Sequence, residues 1–342
     1  MNEQECLARM VAPGQRRPGK WMQGVIQICV THACDKACFG CTQGSNLSAP
    51  RWEMTPEQFR TACRSLKGYF GVVGMFGGNP AMHSQFSELC EVMREEVPFE
   101  RRGLWCNNPT TVEKARVMRE TFNPGVSNLN VHMDQEAYRK FKQGWPQCMP
   151  VGLTTDSRHS PPFVGMRDVL HHVCFQCQGN GCSACQGSGK VYDEVRAWKL
   201  ISGCDINQHW SAAIGVFRGE LRAWFCEIAM SQAIHHQHEP DYPDTGLDPV
   251  KLYDDGDKAW WQLPMHSFTH QVRKHCHDCG VPLRGKGELA LNDAAGKEQV
   301  SATHHAVFTP KRKGRAVELV TTTAQLGATV ASTINYIGNA KL

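Results

Sequence analysis

The chain has 342 residues, of which 41% are hydrophobic and 20% charged, and carries a net charge of +4 at neutral pH. That length allows a sizeable core, in one large domain with appendages or in two domains, and the composition is that of a globular protein. The small net charge does not by itself argue for nucleic-acid binding, and no apolar run approaches the ~20 residues of a membrane span.

The 17 cysteines bear on compartment. Residues 1–20 contain Glu3, Glu5 and several basic residues but no apolar stretch, so no secretory signal is read there. The odd count and the C-x2-C pairs point to a reducing compartment and metal ligation rather than a disulfide scaffold. The expected location is the cytoplasm, that of a host cell if the chain is phage-encoded.

In chain order, residues 1–24 read as a polar lead forming a loop or cap. Val25-Ile26-Gln27-Ile28-Cys29-Val30 is an apolar run, and residues 25–31 are the first expected strand. Directly after it stand Cys34, Cys38 and Cys41 in a C-x3-C-x2-C spacing. Nothing in the next ten residues looks like a fourth ligand. A closed structural zinc site takes four ligands, and so does a cubane cluster held by protein alone. Three thiolates therefore point to a [4Fe–4S] cluster with one iron left open. A three-cysteine zinc loop or reduced core thiols are the alternatives.

Thr55-Pro56-Glu57-Gln58 has the pattern of a capping box with proline at the first helical position, and opens a helix through Phe59, Cys63 and Leu66. A second strand is expected at 71–76, followed by the turn Gly77-Gly78-Asn79-Pro80. A helix is expected from Ser84 to Val97, a third strand near Gly103–Asn107, a helix around Thr111–Thr121 and a fourth, alternating strand at Asn128–Asp134. Thr154–His159 is expected to end a fifth. Repeated strand–helix order implies a parallel sheet, whose ligands bind at the carboxyl ends of the strands. The cysteine loop, the Gly77–Pro80 turn, Asn107-Asn108 and Asp134 all fall at such ends.

The cysteine triplet after a strand, together with Gly77-Gly78-Asn79-Pro80, resembles the radical S-adenosylmethionine (SAM) superfamily. There the open iron chelates the amino and carboxylate groups of SAM, and a Gly-Gly-Glu-Pro turn receives the amino group. This chain departs from the pattern by having Asn79 in place of the acid, and Phe39 one place early before the third cysteine. The resemblance implies an α/β fold, a partial (β/α)6-type parallel-sheet barrel. Of the strand-four residues Asn128, Asn130, His132 and Asp134, it makes Asn130 and His132 the candidates for holding SAM. Asp156, Arg158 and His159 are candidate substrate-pocket residues. The implied chemistry is one-electron cleavage of SAM to methionine and a 5′-deoxyadenosyl radical, which takes hydrogen from substrate. A flavodoxin- or ferredoxin-like reductant is the implied partner.

Two further cysteine sets follow. Residues 174–189 repeat C-x2-C-x-G-x-G with a period of eight, placing Cys174, Cys177, Cys182 and Cys185 as four thiolates suited to tetrahedral zinc. An iron–sulfur cluster is the alternative. The unit is similar to the zinc repeats of J-protein co-chaperones, with two adjacent copies here. Next come Cys204, two alternating runs across Arg218-Gly219-Glu220 that read as a β-hairpin, Cys226, and then Cys276 and Cys279. This order resembles the twitch form of the SPASM extension, which holds a second [4Fe–4S] cluster. Zinc is the alternative for this set, with His275 or His277 able to replace one cysteine. Met230–His238 reads as a helix whose histidines at 235, 236 and 238 are solvent-exposed. Lys311-Arg312-Lys313-Gly314-Arg315 is a basic cluster in a solvated tail, and Val317–Leu342 reads as one helix.

The expected divisions are a lead at 1–24, a radical SAM core at 25–170, a cysteine-rich insertion at 171–192, a twitch-like region at 193–285 and a tail at 286–342. For the substrate, the chain as a whole, including Gln43-Gly44-Ser45-Asn46-Leu47 and the Cys204-Asp205-Ile206-Asn207 stretch, resembles radical SAM isomerases of phage DNA hypermodification in overall similarity rather than in a motif. Those act on an amino-acid-modified thymine. A peptide-modifying maturase is the alternative, weakened because only residues 1–24 precede the first strand, against the ~80–90 of a leader-binding domain, a size at the small end for an independent fold. A non-catalytic zinc-knuckle binding module is the third reading.

Overall fold

The computed structural model describes residues 1–16, 24–36, 41–45, 47–48, 52–132, 134–151, 162–163, 165–283 and 309–310. Its centre is β1 (Val25–Thr31), buried at every position. A near-continuous apolar run is what a strand covered on both faces requires. On one side β1 pairs in parallel with β2 (Val72–Gly77), which pairs in parallel with β3 (Arg102–Leu104). The protein is thus a mixed α/β fold with a parallel-sheet core.

Each crossover on this side is a helix. α1 (Pro56–Ser65) carries the expected capping box, with Thr55 accepting from Gln58 N–H and Gln58 accepting from Thr55 N–H. Phe59, Ala62 and Cys63 form its buried face. α2 (Phe86–Glu96) and α3 (Val112–Thr121) follow β2 and β3, and α4 (Gln135–Gly144) packs on α3. The α3–α4 approach depends on Gly144, where a Cβ would lie 2.4 Å from Ala115 Cβ.

The fourth expected strand, 128–134, does not form. Isolated parallel bridges join Trp105 to Asn128 and Asn130 to Val151. Leu129 and Val131 are buried as the alternation predicts. The segment stops because Asn130 Oδ1 accepts from His132 N–H at 3.2 Å and His132 takes a left-handed φ of 47°. Such a side-chain turn competes with strand pairing. The expected fifth strand end, 154–159, lies outside the described residues.

The cysteine-rich stretch is framed by an antiparallel hairpin of β4 (His171–Val173) and β5 (Lys190–Tyr192). The expected hairpin after it forms as β6 (Ser211–Phe217) and β7 (Glu220–Trp224). β6 also pairs in parallel with β1, so the sheet order is β3-β2-β1-β6-β7. The sequence divided the core at 25–170 from a twitch-like region at 193–285. In the structure these two stretches share one sheet.

α5 (Glu227–His236) covers β6, and Gly215 makes room for it, since a Cβ there would meet Met230 and Ile234. His235 and His236 are buried, 2% and 5% exposed. This corrects the expectation that they are exposed; the helix lies against the sheet along its whole length, and only His238 of the three is exposed. The lead also differs from a plain loop: Glu3–Arg9 is a helix with an Asn2–Glu5 capping box. The basic cluster at 311–315 and the expected helix at 317–342 lie outside the described residues. No helix among the described residues is long and apolar enough to cross a membrane.

Candidate metal centres

The loop carrying Cys34 and Cys41 leaves the carboxyl end of β1, and the Gly77–Pro80 turn leaves the neighbouring end of β2. Two backbone bonds tie them: Gly78 N–H donates to Thr31 O at 2.8 Å, and Asn79 N–H to Ala33 O at 2.6 Å. The glycines have a steric reason. A Cβ on Gly77, whose φ is 149°, would lie 2.4 Å from Thr31 O, and one on Gly78 would lie 2.4 Å from Ala33 O. Only a chain without side chains there permits this approach. Pro80 opens a short 3-10 turn and is buried.

Asp35, between two of the motif cysteines, reaches across to three carboxamides. It accepts from Asn107 Nδ2 at 2.8 Å, Asn108 Nδ2 at 2.9 Å and Asn79 Nδ2 at 3.3 Å. Burial alone would raise its pKa, but the Asn108 and Asn107 donors outweigh it and hold the carboxyl below the usual range. Lys36 Nζ pairs with Asp134 Oδ2 at 2.6 Å. His132, near Lys36 and Asp35, has its pKa lowered to about 4, first by burial and then by Lys36. The cysteine loop, Asn79, Asn107-Asn108, His132 and Asp134 thus form one polar neighbourhood. Asn130 serves as the acceptor of the turn into His132. Cys38, Asp156, Arg158 and His159 lie outside the described residues.

The 174–189 repeat is a repeat of conformation as well as of letters. Gln178, Gly179 and Gly181 have positive φ, and so do Gln186, Gly187 and Gly189 eight places on. The copies pack glycine on glycine: a Cβ on Gly189 would lie 2.2 Å from Gly179 O, and one on Gly181 2.7 Å from Gly187 O. Their four Sγ atoms lie within 4.8 Å of one another. The pairs Cys174–Cys182, Cys177–Cys185 and Cys182–Cys185 stand at 3.8, 3.7 and 3.8 Å. Four sulfurs about 2.3 Å from a tetrahedral ion are about 3.8 Å apart, so the set fits one Zn²⁺. Backbone N–H groups of Cys182 and Gly189 donate to Cys185 Sγ and bring its pKa down to about 6.

Cys204, Cys226 and the Cys276–Cys279 pair come from three separate places in the chain and line one narrow, apolar cavity with Met10 and Phe225. Cys226 caps the start of α5, and Cys276 ends the helix α6 (Thr269–His275). Among the described residues, the 174–185 set is the one group of three or more metal-type ligands within 4.8 Å of one another. Burial pushes all four thiols up, Cys226 to about 12. His275 lines the same cavity, and its ring nitrogens meet Thr245 Oγ1 at 2.8 Å and Gln232 Oε1 at 3.2 Å. His277 Nδ1 meets Tyr192 Oη at 2.6 Å, with its ring edge-on to Trp198.

The sequence reading missed four residues here. Asp35 had a signal, its place inside the cysteine motif. Cys6 is a fifth thiol, fully buried and near enough to Cys204 and Cys276 for their charges to interact. Glu227 is buried and bonds to Ser211 Oγ and the Thr42 side chain, linking the Cys41 loop to the residue after Cys226. Arg16 is fully buried. Nothing local marks these last three, because their surroundings come from distant segments.

No protein-family model and no curated protein matches the chain. Among solved structures, the chain is similar to BtrN in complex with AdoMet and 2-DOIA, at 14% identity, over 77% of this chain and 94% of that one, with a TM-score of 0.37.

Proposed function

We propose that the chain is a radical SAM enzyme. The observation that supports this best is the pair of backbone bonds from Gly78 and Asn79 to Thr31 and Ala33, which hold the cysteine loop against the Gly77–Pro80 turn at adjoining ends of parallel strands. When bound on Cys34, Cys38 and Cys41, a [4Fe–4S] cluster supplies one-electron cleavage of SAM, giving a 5′-deoxyadenosyl radical for hydrogen abstraction. The chain's own residues bind and orient. The Gly77–Pro80 backbone receives the amino group of SAM, and Asp35 presents an ionised carboxylate toward the same positive charge. Asn130 and His132 hold the ribose or carboxylate end. Cys204, Cys226, Cys276 and Cys279 hold a second [4Fe–4S] cluster, and Cys174, Cys177, Cys182 and Cys185 hold zinc. No side chain need act as a general base, and the electron comes from a flavodoxin- or ferredoxin-like reductant in the cytoplasm.

For the substrate we infer an amino-acid-modified thymine in DNA, rearranged by a radical isomerisation. Support comes from the overall resemblance of the chain, residues 43–47 and 204–207 included, to phage DNA-hypermodification enzymes. The test is anaerobic reconstitution with iron and sulfide, then dithionite and SAM with each of two substrates, DNA bearing the modified base and a peptide. The expected result is 5′-deoxyadenosine with an isomerised base in the DNA arm. Product in the peptide arm alone overturns the substrate. Absence of both a cluster spectrum and 5′-deoxyadenosine overturns the enzyme reading in favour of a zinc-knuckle module.

A further inference from the structure

Arg16 is 0% exposed. One guanidinium nitrogen, Nη2, donates to Phe225 O, the carbonyl just before Cys226. The other two, Nε and Nη1, have no hydrogen-bond partner among the described residues. A buried cation with two unpaired donors is unfavourable unless an anion faces it. Glu227 does not fill that role. Its carboxyl is bonded instead to Ser211 Oγ and the Thr42 side chain. Burial lowers the Arg16 pKa, and Cys226, Tyr69, Cys204 and Glu227 are near enough to interact with its charge. Tyr69 is a buried phenol whose pKa is raised by burial, so it is neutral.

We propose that Arg16 is the counter-ion of an anionic iron–sulfur cluster on Cys204, Cys226, Cys276 and Cys279, and that it sets that cluster's reduction potential. This rests on reading those four cysteines as a cluster site. Four thiolates outweigh the positive charge of the cubane core, so the site is a net anion, and more so after one-electron reduction. Its walls are apolar, and Phe225, to which Arg16 is anchored, is one of them. A fixed cation at that wall favours the reduced form. Burial strengthens this effect, because no solvent screens it.

The test uses the full chain with Cys34, Cys38 and Cys41 changed to Ala, so that, with zinc on the 174–185 set, the auxiliary site is the one remaining iron site. Iron and sulfide content, the EPR spectrum of the reduced state and the midpoint potential are measured for this parent and for Arg16→Lys and Arg16→Gln. Arg16→Gln is expected to lower the reduction equilibrium constant at least tenfold, a shift of about 59 mV to lower potential for one electron, while Arg16→Lys stays near the parent. An unchanged potential in Arg16→Gln overturns the inference. A parent without iron at these cysteines overturns the cluster reading instead. Should Arg16→Gln not retain the cluster, the thermal midpoints of Arg16→Met decide. A counter-ion predicts that this variant is more stable than its parent without metal and less stable with it. Destabilisation in both states means that Arg16 has a packing role alone.

Discussion

The carboxamide of Asn79 donates to Asp35 Oδ1 at 3.3 Å, across the gap between two loops that leave adjoining strands. The turn therefore has no acid of its own but draws one from the cysteine loop, where Asn107 and Asn108 also hold it. Asn79 is one of three carboxamides that hold Asp35, and a carboxylate in its place would repel it.

Asp35→Asn is expected to weaken SAM binding by roughly tenfold to a hundredfold, the worth of one hydrogen bond to a charged group. Iron bound per chain should stay the same. Anaerobic equilibrium dialysis with SAM reads the first and iron analysis the second. An unchanged dissociation constant in a fully iron-loaded variant removes Asp35 from the SAM site.

Gly78→Ala places a Cβ 2.4 Å from the backbone oxygen of Ala33. The turn and the cysteine loop must separate, at a cost of about 1–3 kcal/mol by analogy with overpacked cores. A fall in denaturation midpoint with loss of SAM cleavage is expected. Gly68→Ala is the control, because a Cβ there meets nothing within 4 Å, although its φ of 86° carries some strain.

His132 titrates at about 4 in the folded chain and near 6.5 when unfolded. Between those values the unfolded chain binds more protons, so stability rises with pH. The contribution is fully present above about pH 6.5 and lost as pH falls toward 4, with an upper bound of about 3 kcal/mol. His132→Asn keeps a residue that tolerates the left-handed φ of 47° and removes the titration. Denaturant unfolding from pH 4 to 7 is expected to show a flatter profile for the variant; parallel profiles contradict the assignment.

Cys182→Ser removes one of the sulfurs that stand 3.8 Å from their neighbours. Zinc content is expected to fall by one per chain while iron content holds, and amide exchange is expected to speed up in β4 and β5. Loss of iron instead of zinc assigns a cluster to this stretch.

Much of the site was legible in short stretches. The Thr55–Gln58 cap, the β6–β7 hairpin and the period-eight knuckle are all local, because capping, turn geometry and metal-ligand spacing act within a few residues. The segment 128–134 shows where such reading fails. Its alternation placed Leu129 and Val131 inside, yet the side chain of Asn130 closed a turn and ended the strand. His235 and His236 fail for another reason. A helix with polar residues near its end looks exposed until the partner surface is known, and here that surface is β6.

The sequence by itself determined the three-cysteine loop after a strand, the glycine turn after the next, and the four-cysteine knuckle. Tertiary structure decided that the hairpin at 211–224 joins the central sheet through β1, that Cys204, Cys226, Cys276 and Cys279 meet at one cavity, and that Asp35 and Arg16 stand where they do. The physical reason is range. Spacing and periodicity are set by neighbours along the chain. The burial of a single charge, and the choice of what faces it, depend on segments brought together only when the sheet closes over its core.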